Sequence, residues 1–149
     1  MHSDLLADLL TDAVELSRRC PPSTTAYAVG AIVLTADGRS RASGWSRATG
    51  PHDHAEEVAL AALAALAADP AGGTLVSSME PCSRRQSRAR TCTELILAAG
   101  LARVVFALRE PPLFADCRGA ELLAAAGVEV VERPELAAAA RSVNAYLLG

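Results

Sequence analysis

Lysine is absent from this chain of 149 residues, and all fourteen of its basic residues are arginine. Enzymes that form a Schiff base need a lysine amine, and a Walker loop needs a lysine to reach the phosphates of its nucleotide. Both classes of enzyme are therefore excluded before any motif is considered.

Aromatic residues and positive charge are also scarce. The net charge is −3, and only five residues are aromatic: Tyr27, Trp45, Phe106, Phe114 and Tyr146. A nucleic-acid-binding protein normally offers a basic field and aromatic side chains on which bases stack. We therefore expect a small-molecule substrate and no nucleic-acid partner.

Four cysteines are too few and too widely spread for a secreted disulfide framework, and no apolar run approaches the length of a bilayer span. The first twelve residues carry acids instead of the basic start of a signal peptide. We expect a cytoplasmic protein with no membrane partner and with reduced thiols that are free to bind metal. The length and a hydrophobic content of 51% predict a single domain over residues 1–149.

Helical and strand patterns alternate along the chain. This alternation predicts an α/β domain with three α/β/α layers and a central mixed sheet of about five strands. The predicted elements are a helix over 5–16, strands over 27–35 and 41–45, a helix over 55–68 that Asp53 can cap, a strand over 74–78, a helix over 92–99 that a Thr91-x-x-Glu94 capping box opens, a strand over 103–108, a helix over 117–126, a strand over 128–131 and a terminal helix that begins at Pro134.

Two short motifs carry the chemistry. His54 and Glu56 stand at the start of a predicted helix, and Cys82 follows a strand, with Cys92 in the first turn of the next helix. A helix N-terminus favours the thiolate form of cysteine, which is the form that binds metal. One imidazole and two thiolates suit Zn²⁺, and three protein ligands leave the fourth position open, as in catalytic zinc sites.

This order of His-x-Glu, Pro-Cys and a second cysteine resembles the zinc-dependent cytidine and deoxycytidylate deaminase superfamily. The segments 74–83 and 92–105 are most similar to the deaminase domain of the bacterial riboflavin-biosynthesis bifunctional deaminase/reductase. Val29-Gly30, Asp37-Gly38 and Cys117-Arg118-Gly119 extend the resemblance over roughly residues 28–131. It implies a cytidine-deaminase-like fold and a homo-oligomer, either a dimer or a tetramer.

The resemblance also implies roles for individual residues. His54, Cys82 and Cys92 would hold the zinc, and Glu56 would take a proton from water and pass it to the ring nitrogen and the leaving amine of a heterocyclic amine substrate. Ala26 and Tyr27 stand where the family has Asn-Pro before the first strand, and Glu80 would offer its backbone carbonyl to the amine. The loop between the cysteines departs from the family pattern and carries Arg84, Arg85, Arg88 and Arg90, which could hold a substrate phosphate or only solvate the loop.

Several alternatives remain open at this point. Glu56 could be part of a capping box with Asp53, His52 competes with His54 as a ligand, and Cys20 and Cys117 are interpreted as ordinary thiols. The leading function is deamination of an aminopyrimidine, such as the phosphoribosylated riboflavin intermediate. The alternatives are a deaminase of free nucleobases or nucleosides (cytosine, cytidine, guanine or adenine type) and a zinc-stabilised binding domain without turnover.

Overall fold

A computed structural model describes residues 3–85, 90–114 and 116–148. Its five strands form one sheet in the order β2-β1-β3-β4-β5. The elements in chain order are α1 (Ser3–Ser17), β1 (Gly30–Leu34), β2 (Arg41–Trp45), α2 (Ala55–Ala65), β3 (Thr74–Met79), α3 (Cys92–Ala99), β4 (Arg103–Leu108), α4 (Gly119–Ala125), β5 (Glu129–Glu132), a 3₁₀ turn (Pro134–Leu136), α5 (Ala137–Val143) and α6 (Ala145–Leu148).

The sheet is mixed. β1 lies antiparallel to both β2 and β3, whereas β3, β4 and β5 run parallel to one another. The carboxyl ends of parallel strands lie at one edge of the sheet, where ligand crevices of α/β folds form. The segments that follow β3 and β4 therefore meet at that edge.

Helices cover both faces of the sheet and give the predicted three layers. On one face α1 and α5 pack over side chains such as Ile32, Val76 and Val105. On the other face α2, α3 and α4 bury Leu63, Ile96 and Leu123 against the sheet. None of the helices in the described ranges is long and apolar enough to cross a membrane.

The predicted bounds of β2, α3 and β4 are confirmed, and those of α1, β3, α4 and β5 are shifted by one or two residues at one or both ends. Three other elements differ more. β1 begins only at Gly30, because Tyr27 and Ala28 are bound by side chains and not by a neighbouring strand. α2 ends at Ala65, two residues before Ala67 adopts a positive φ of 56°. The terminal helix is divided, because a 3₁₀ turn starts at Pro134 and the helix breaks at Asn144.

Asp53 does not cap α2, so that prediction was wrong. Its carboxylate accepts hydrogen bonds from the backbone N–H and the hydroxyl of Thr49, and closes the loop that precedes the helix. The N-cap residue is His54, whose backbone N–H donates to Glu57 Oε1 at 3.0 Å. The helix thus begins at Ala55, as predicted, but its N-cap lies one residue later than the sequence suggested.

Candidate metal centre and active site

The three predicted metal ligands converge from three different elements. His54 begins α2, Cys82 lies in the loop after β3, and Cys92 is the first residue of α3. His54 Nδ1 lies 3.3 Å from Cys92 Sγ and 3.5 Å from Cys82 Sγ. Within residues 3–85, 90–114 and 116–148, these three side chains form the group that could hold a metal ion, and their ligand atoms lie within 4.8 Å of one another.

Backbone hydrogen bonds fix the positions of the two cysteines. The Cys92 N–H donates to Cys82 Sγ at 3.3 Å, and both the N–H and the hydroxyl of Thr93 donate to the Cys82 carbonyl at 3.1 and 2.8 Å. Thr91 caps α3 and exchanges hydrogen bonds with Glu94, as the sequence predicted. The start of α3 thus carries the Cys92 thiol, and its free amides orient Cys82.

The charges at the cluster suit a cation. A hydrogen bond from Cys92 and the neighbouring imidazole of His54 lower the pKa of Cys82 to about 4 despite its burial. The pKa of Cys92 is raised, because its thiol donates to the Cys82 sulfur and lies fully buried. Burial opposes the charged form of His54, but the Cys82 sulfur outweighs this effect and raises the pKa of the imidazole. One imidazole nitrogen and two sulfurs that share a proton fit the donor set of a zinc ion.

Glu56 lies beside these ligands and is only 4% exposed. Burial, together with the negative charge of Cys82, raises the pKa of its carboxyl to about 7. The capping contact at the start of α2 is made by Glu57, not by Glu56. The capping interpretation of Glu56 therefore loses its support, and the residue has the environment of a general acid and base.

Two further carboxyls lie near the cluster. The buried Glu80 side chain accepts hydrogen bonds from the N–H groups of Glu110 and Ala120, at 3.2 and 3.0 Å, and so joins the segment after β4 to α4. Burial and the nearby negative charges of Cys82, Glu56 and Glu80 raise the pKa of Glu110 to about 8. Sequence reasoning missed Glu110, although its position directly after the Arg103–Leu108 strand was a usable signal.

Tyr27 packs against the loop after β4 and is 7% exposed. Its hydroxyl donates to the Pro111 carbonyl at 2.9 Å, and its ring packs against Phe114 with centroids 5.1 Å apart. The Ala26 carbonyl accepts a hydrogen bond from the Tyr146 hydroxyl at 3.3 Å. Ala26 and Tyr27, which stand where the family has Asn-Pro, are thus tied to the loop after β4 and to α6.

The arginines of the cysteine loop occupy different environments. Arg84 and Arg90 are exposed, Arg88 lies outside the described residues, and the Arg85 side chain is only 2% exposed. Arg85 Nη2 donates to Glu57 Oε1 and to the His52 carbonyl, both at 2.6 Å. The four arginines looked equivalent in the sequence, but those that the structure describes differ in burial and in their contacts.

The other candidates named from the sequence lie outside the cluster. His52 is exposed, and Cys20 lies half-buried with its thiol 3.5 Å from the Val29 carbonyl. The Cys117 thiol donates to the Pro81 carbonyl at 3.2 Å. A Cβ on Gly119 would lie 2.0 Å from the same carbonyl, so only glycine lets α4 approach the cysteine loop this closely.

Comparison with known proteins gives a consistent result. Residues 4–108 match the sequence profile of the cytidine and deoxycytidylate deaminase zinc-binding region. The diaminohydroxyphosphoribosylamino-pyrimidine deaminase of Schizosaccharomyces pombe is 33% identical over 136 residues, which are 89% of this chain and 32% of that protein.

Solved structures agree with the sequence relatives. The diaminohydroxyphosphoribosylaminopyrimidine deaminase/5-amino-6-(5-phosphoribosylamino)uracil reductase of Thermotoga maritima superposes with a TM-score of 0.84 at 28% identity, over 99% of this chain and 41% of that one. The dCMP deaminase of cyanophage S-TIM5 superposes with a TM-score of 0.69 at 25% identity, over 89% of this chain and all of that one. The chain thus spans about a third of the S. pombe relative and the full length of the phage protein.

Proposed function

The chain belongs to the cytidine and deoxycytidylate deaminase family, and from this membership we propose that it is a hydrolytic deaminase of a small aminopyrimidine-type heterocycle. The observation that carries the proposal is the buried Glu56 carboxyl beside His54, Cys82 and Cys92. A proton carrier next to a three-ligand site with an open position is what hydrolysis of a ring C–N bond needs.

The proposed reaction divides the work between the metal and Glu56. His54, Cys82 and Cys92 would hold the zinc, which would supply the Lewis acidity that makes water nucleophilic near neutral pH. The Glu56 carboxylate takes the proton of the attacking water and delivers it to the ring nitrogen beside the carbon that bears the amine. Glu56 then passes the remaining proton of that water to the amine, which leaves as ammonia. In the metal-free protein, burial and the nearby Cys82 charge raise the pKa of this carboxyl to about 7, which is the environment of a group that both accepts and releases protons.

For the substrate we propose a phosphoribosylated diaminopyrimidine of riboflavin biosynthesis. The proposal is supported by the names of the S. pombe and T. maritima relatives. Its phosphate could be bound through charge-assisted hydrogen bonds by Arg84 and Arg90, which are exposed. Arg88, which lies outside the described residues, is a third proposed contact on the basis of the sequence. Ala26, Tyr27 and the Glu80 carbonyl stay the proposed contacts to the ring.

A free nucleobase or nucleoside is the second candidate. The observation that favours it is the engagement of Arg85 with Glu57 and His52, which turns one of the four loop guanidiniums toward the protein and away from a phosphate. Fewer cations offered by the loop between the cysteines weaken the case for a phosphorylated substrate.

The experiment is an assay of ammonia release from aminated pyrimidines, purines and pterins, each with and without a ribose phosphate. We expect turnover of a phosphoribosylated diaminopyrimidine, and we expect Arg84→Ala or Arg90→Ala to lower kcat/KM about ten- to a hundred-fold, since a charge-assisted hydrogen bond contributes roughly 1.5–3 kcal/mol. If both variants treat phosphorylated and free forms as the parent does, the free-base candidate replaces the first. Arg39→Ala, a matched change in the turn after β1, is the control for a general loss of positive charge.

The same proposal covers the cellular location, the single domain and the oligomeric state of the protein. A single deaminase domain in the cytoplasm would keep the Cys82 and Cys92 thiols reduced for metal binding. A homo-oligomer would cover exposed apolar side chains, which include Leu66, Leu97 and Leu122. Light scattering of the purified protein tests this, and a mass equal to one chain at micromolar concentration would contradict it.

A further inference from the structure

The Arg85 guanidinium lies where the three ligand-bearing segments of the chain meet. Its Nη2 atom donates to Glu57 Oε1 and to the His52 carbonyl, both at 2.6 Å, and its Nη1 atom donates to the Arg90 carbonyl at 3.5 Å. The side chain is 2% exposed, so these contacts replace water as its solvation.

Arg85 and each residue that it contacts lie two or three positions from a metal ligand in the chain. Arg85 itself is three residues after Cys82, and Arg90 is two residues before Cys92. His52 and Glu57 stand on either side of His54. One planar cation thus joins the loop that carries the first cysteine, the approach to the second cysteine and the start of the helix that carries the histidine.

Glu57 extends this connection to the ligand itself. The same Oε1 atom that pairs with Arg85 accepts the hydrogen bond of the His54 N–H at 3.0 Å. A shift of the guanidinium would therefore move both the cysteine loop and the N-cap that sets the direction of the imidazole.

We propose that Arg85 is a positioning residue of the metal centre, which holds the segments of Cys82, Cys92 and His54 together and does not contact the substrate. The proposal rests on the zinc site and not on the identity of the substrate. Arginine suits this role, because its rigid fork reaches a carboxylate and two carbonyls at once, whereas a lysine ammonium cannot span them from one position. Groups that orient metal ligands typically affect metal affinity ten- to a hundred-fold.

Zinc transfer from the purified protein to a chromogenic chelator provides the test. We expect Arg85→Ala to lose zinc about ten- to a hundred-fold faster than the parent, and Arg85→Lys to recover only part of the difference. Arg84→Ala is the matched control, because it removes an exposed arginine of the same loop, and it should release zinc at the parent rate.

A second variant keeps the proposal falsifiable if Arg85→Ala does not fold. Glu57→Gln retains an oxygen for the His54 N–H but loses the charge that binds Arg85, and it should also release zinc faster. The double variant should release zinc no faster than Arg85→Ala alone, because the two residues act as one unit. The Co²⁺-substituted forms of both single variants should show altered thiolate-to-cobalt bands.

Parent-like zinc release in Arg85→Lys and Glu57→Gln would overturn the proposal. So would a change confined to the KM for phosphorylated substrates, since that result would place Arg85 on the substrate. Zinc release is measured without turnover, so failure of the proposed deaminase reaction would leave this result intact.

Discussion

The metal cluster and the mouth of the site are held in different ways. In the cluster, the ligands are the N-cap of α2, the first residue of α3 and a residue of the loop after β3, and backbone hydrogen bonds orient them. In segments 26–28 and 110–114, which we propose form the mouth of the site, the contacts join residues far apart in the chain, such as Tyr27 with Pro111 and Ala28 with Asn144. Helix starts and backbone hydrogen bonds thus orient the metal ligands, whereas long-range side-chain contacts hold the proposed mouth.

This contrast predicts the largest effect for changes within the cluster. Cys82→Ala or Cys92→Ala should abolish tight zinc binding and lower the free energy of unfolding, because each removes one of three protein ligands from a largely buried site. Metal analysis after gel filtration, together with thermal unfolding, provides the measurement. Cys20→Ala is the control and should retain one zinc per chain. A Cys92→Ala variant with a full zinc content would break the distinction between cluster and surroundings.

A smaller effect is expected from the charge of Glu56 in the metal-free protein. Its pKa is raised from 4.5 to about 7 in the folded chain, so the unfolded state gives up this proton more readily. Below pH 4.5 this carboxyl is protonated in both states and does not lower the free energy of unfolding. As the pH rises from 4.5 toward 7, the free energy of unfolding falls by roughly 3 kcal/mol in all. Metal-free Glu56→Gln lacks this loss and should be the more stable protein at pH 8.

Urea unfolding of both metal-free proteins between pH 4 and pH 8 measures this difference. The two stability curves should separate as the pH rises and meet near pH 4. Curves that stay parallel over the whole range would mean that Glu56 keeps an ordinary pKa.

The smallest of these effects belongs to the mouth. Asn144 is fully buried, and its side chain accepts from the Ala28 N–H at 2.7 Å and donates to the Ala28 carbonyl at 3.0 Å. Asn144→Ala leaves both groups unpaired, and we expect a loss of roughly 2 kcal/mol in the free energy of unfolding and a raised KM with zinc content unchanged.

Tyr146→Phe is the companion variant for this prediction. It removes one exposed hydrogen bond to Ala26 from the same terminal region, and it should cost less than about 1 kcal/mol. Equal losses for the two variants, or a loss of zinc in Asn144→Ala, would contradict the separation between mouth and cluster.

The same contrast explains what could be predicted from the sequence. The bounds of α3 and the capping box of Thr91 and Glu94 depend on signals within a few residues, and the structure confirms them. The meeting of His54 with Cys82 and Cys92, which lie 28 and 38 residues further along the chain, was predicted from the order of the motifs and is also observed. The layers and the mixed five-stranded sheet also followed from the alternation of patterns.

The contacts of the mouth could not be predicted in this way. Asn144 meets Ala28 across 116 residues and Tyr27 meets Pro111 across 84, and no local pattern marks such pairs. Asp53 was misassigned as a cap because its acid side chain suits a helix start, although Thr49 binds it within the preceding loop. Arg85 looked like its neighbours until its burial against Glu57 was known.

The most direct test of the account measures zinc content and ammonia release on the same samples of the parent and of Glu56→Gln. The amide is nearly isosteric with the carboxyl but cannot carry the proton, so we expect a full zinc content with turnover reduced about 10²- to 10⁴-fold. Turnover near the parent level with zinc bound would show that Glu56 is not the proton carrier. A parent protein that holds zinc but releases no ammonia from any heterocycle tested would instead point to a zinc-stabilised binding domain.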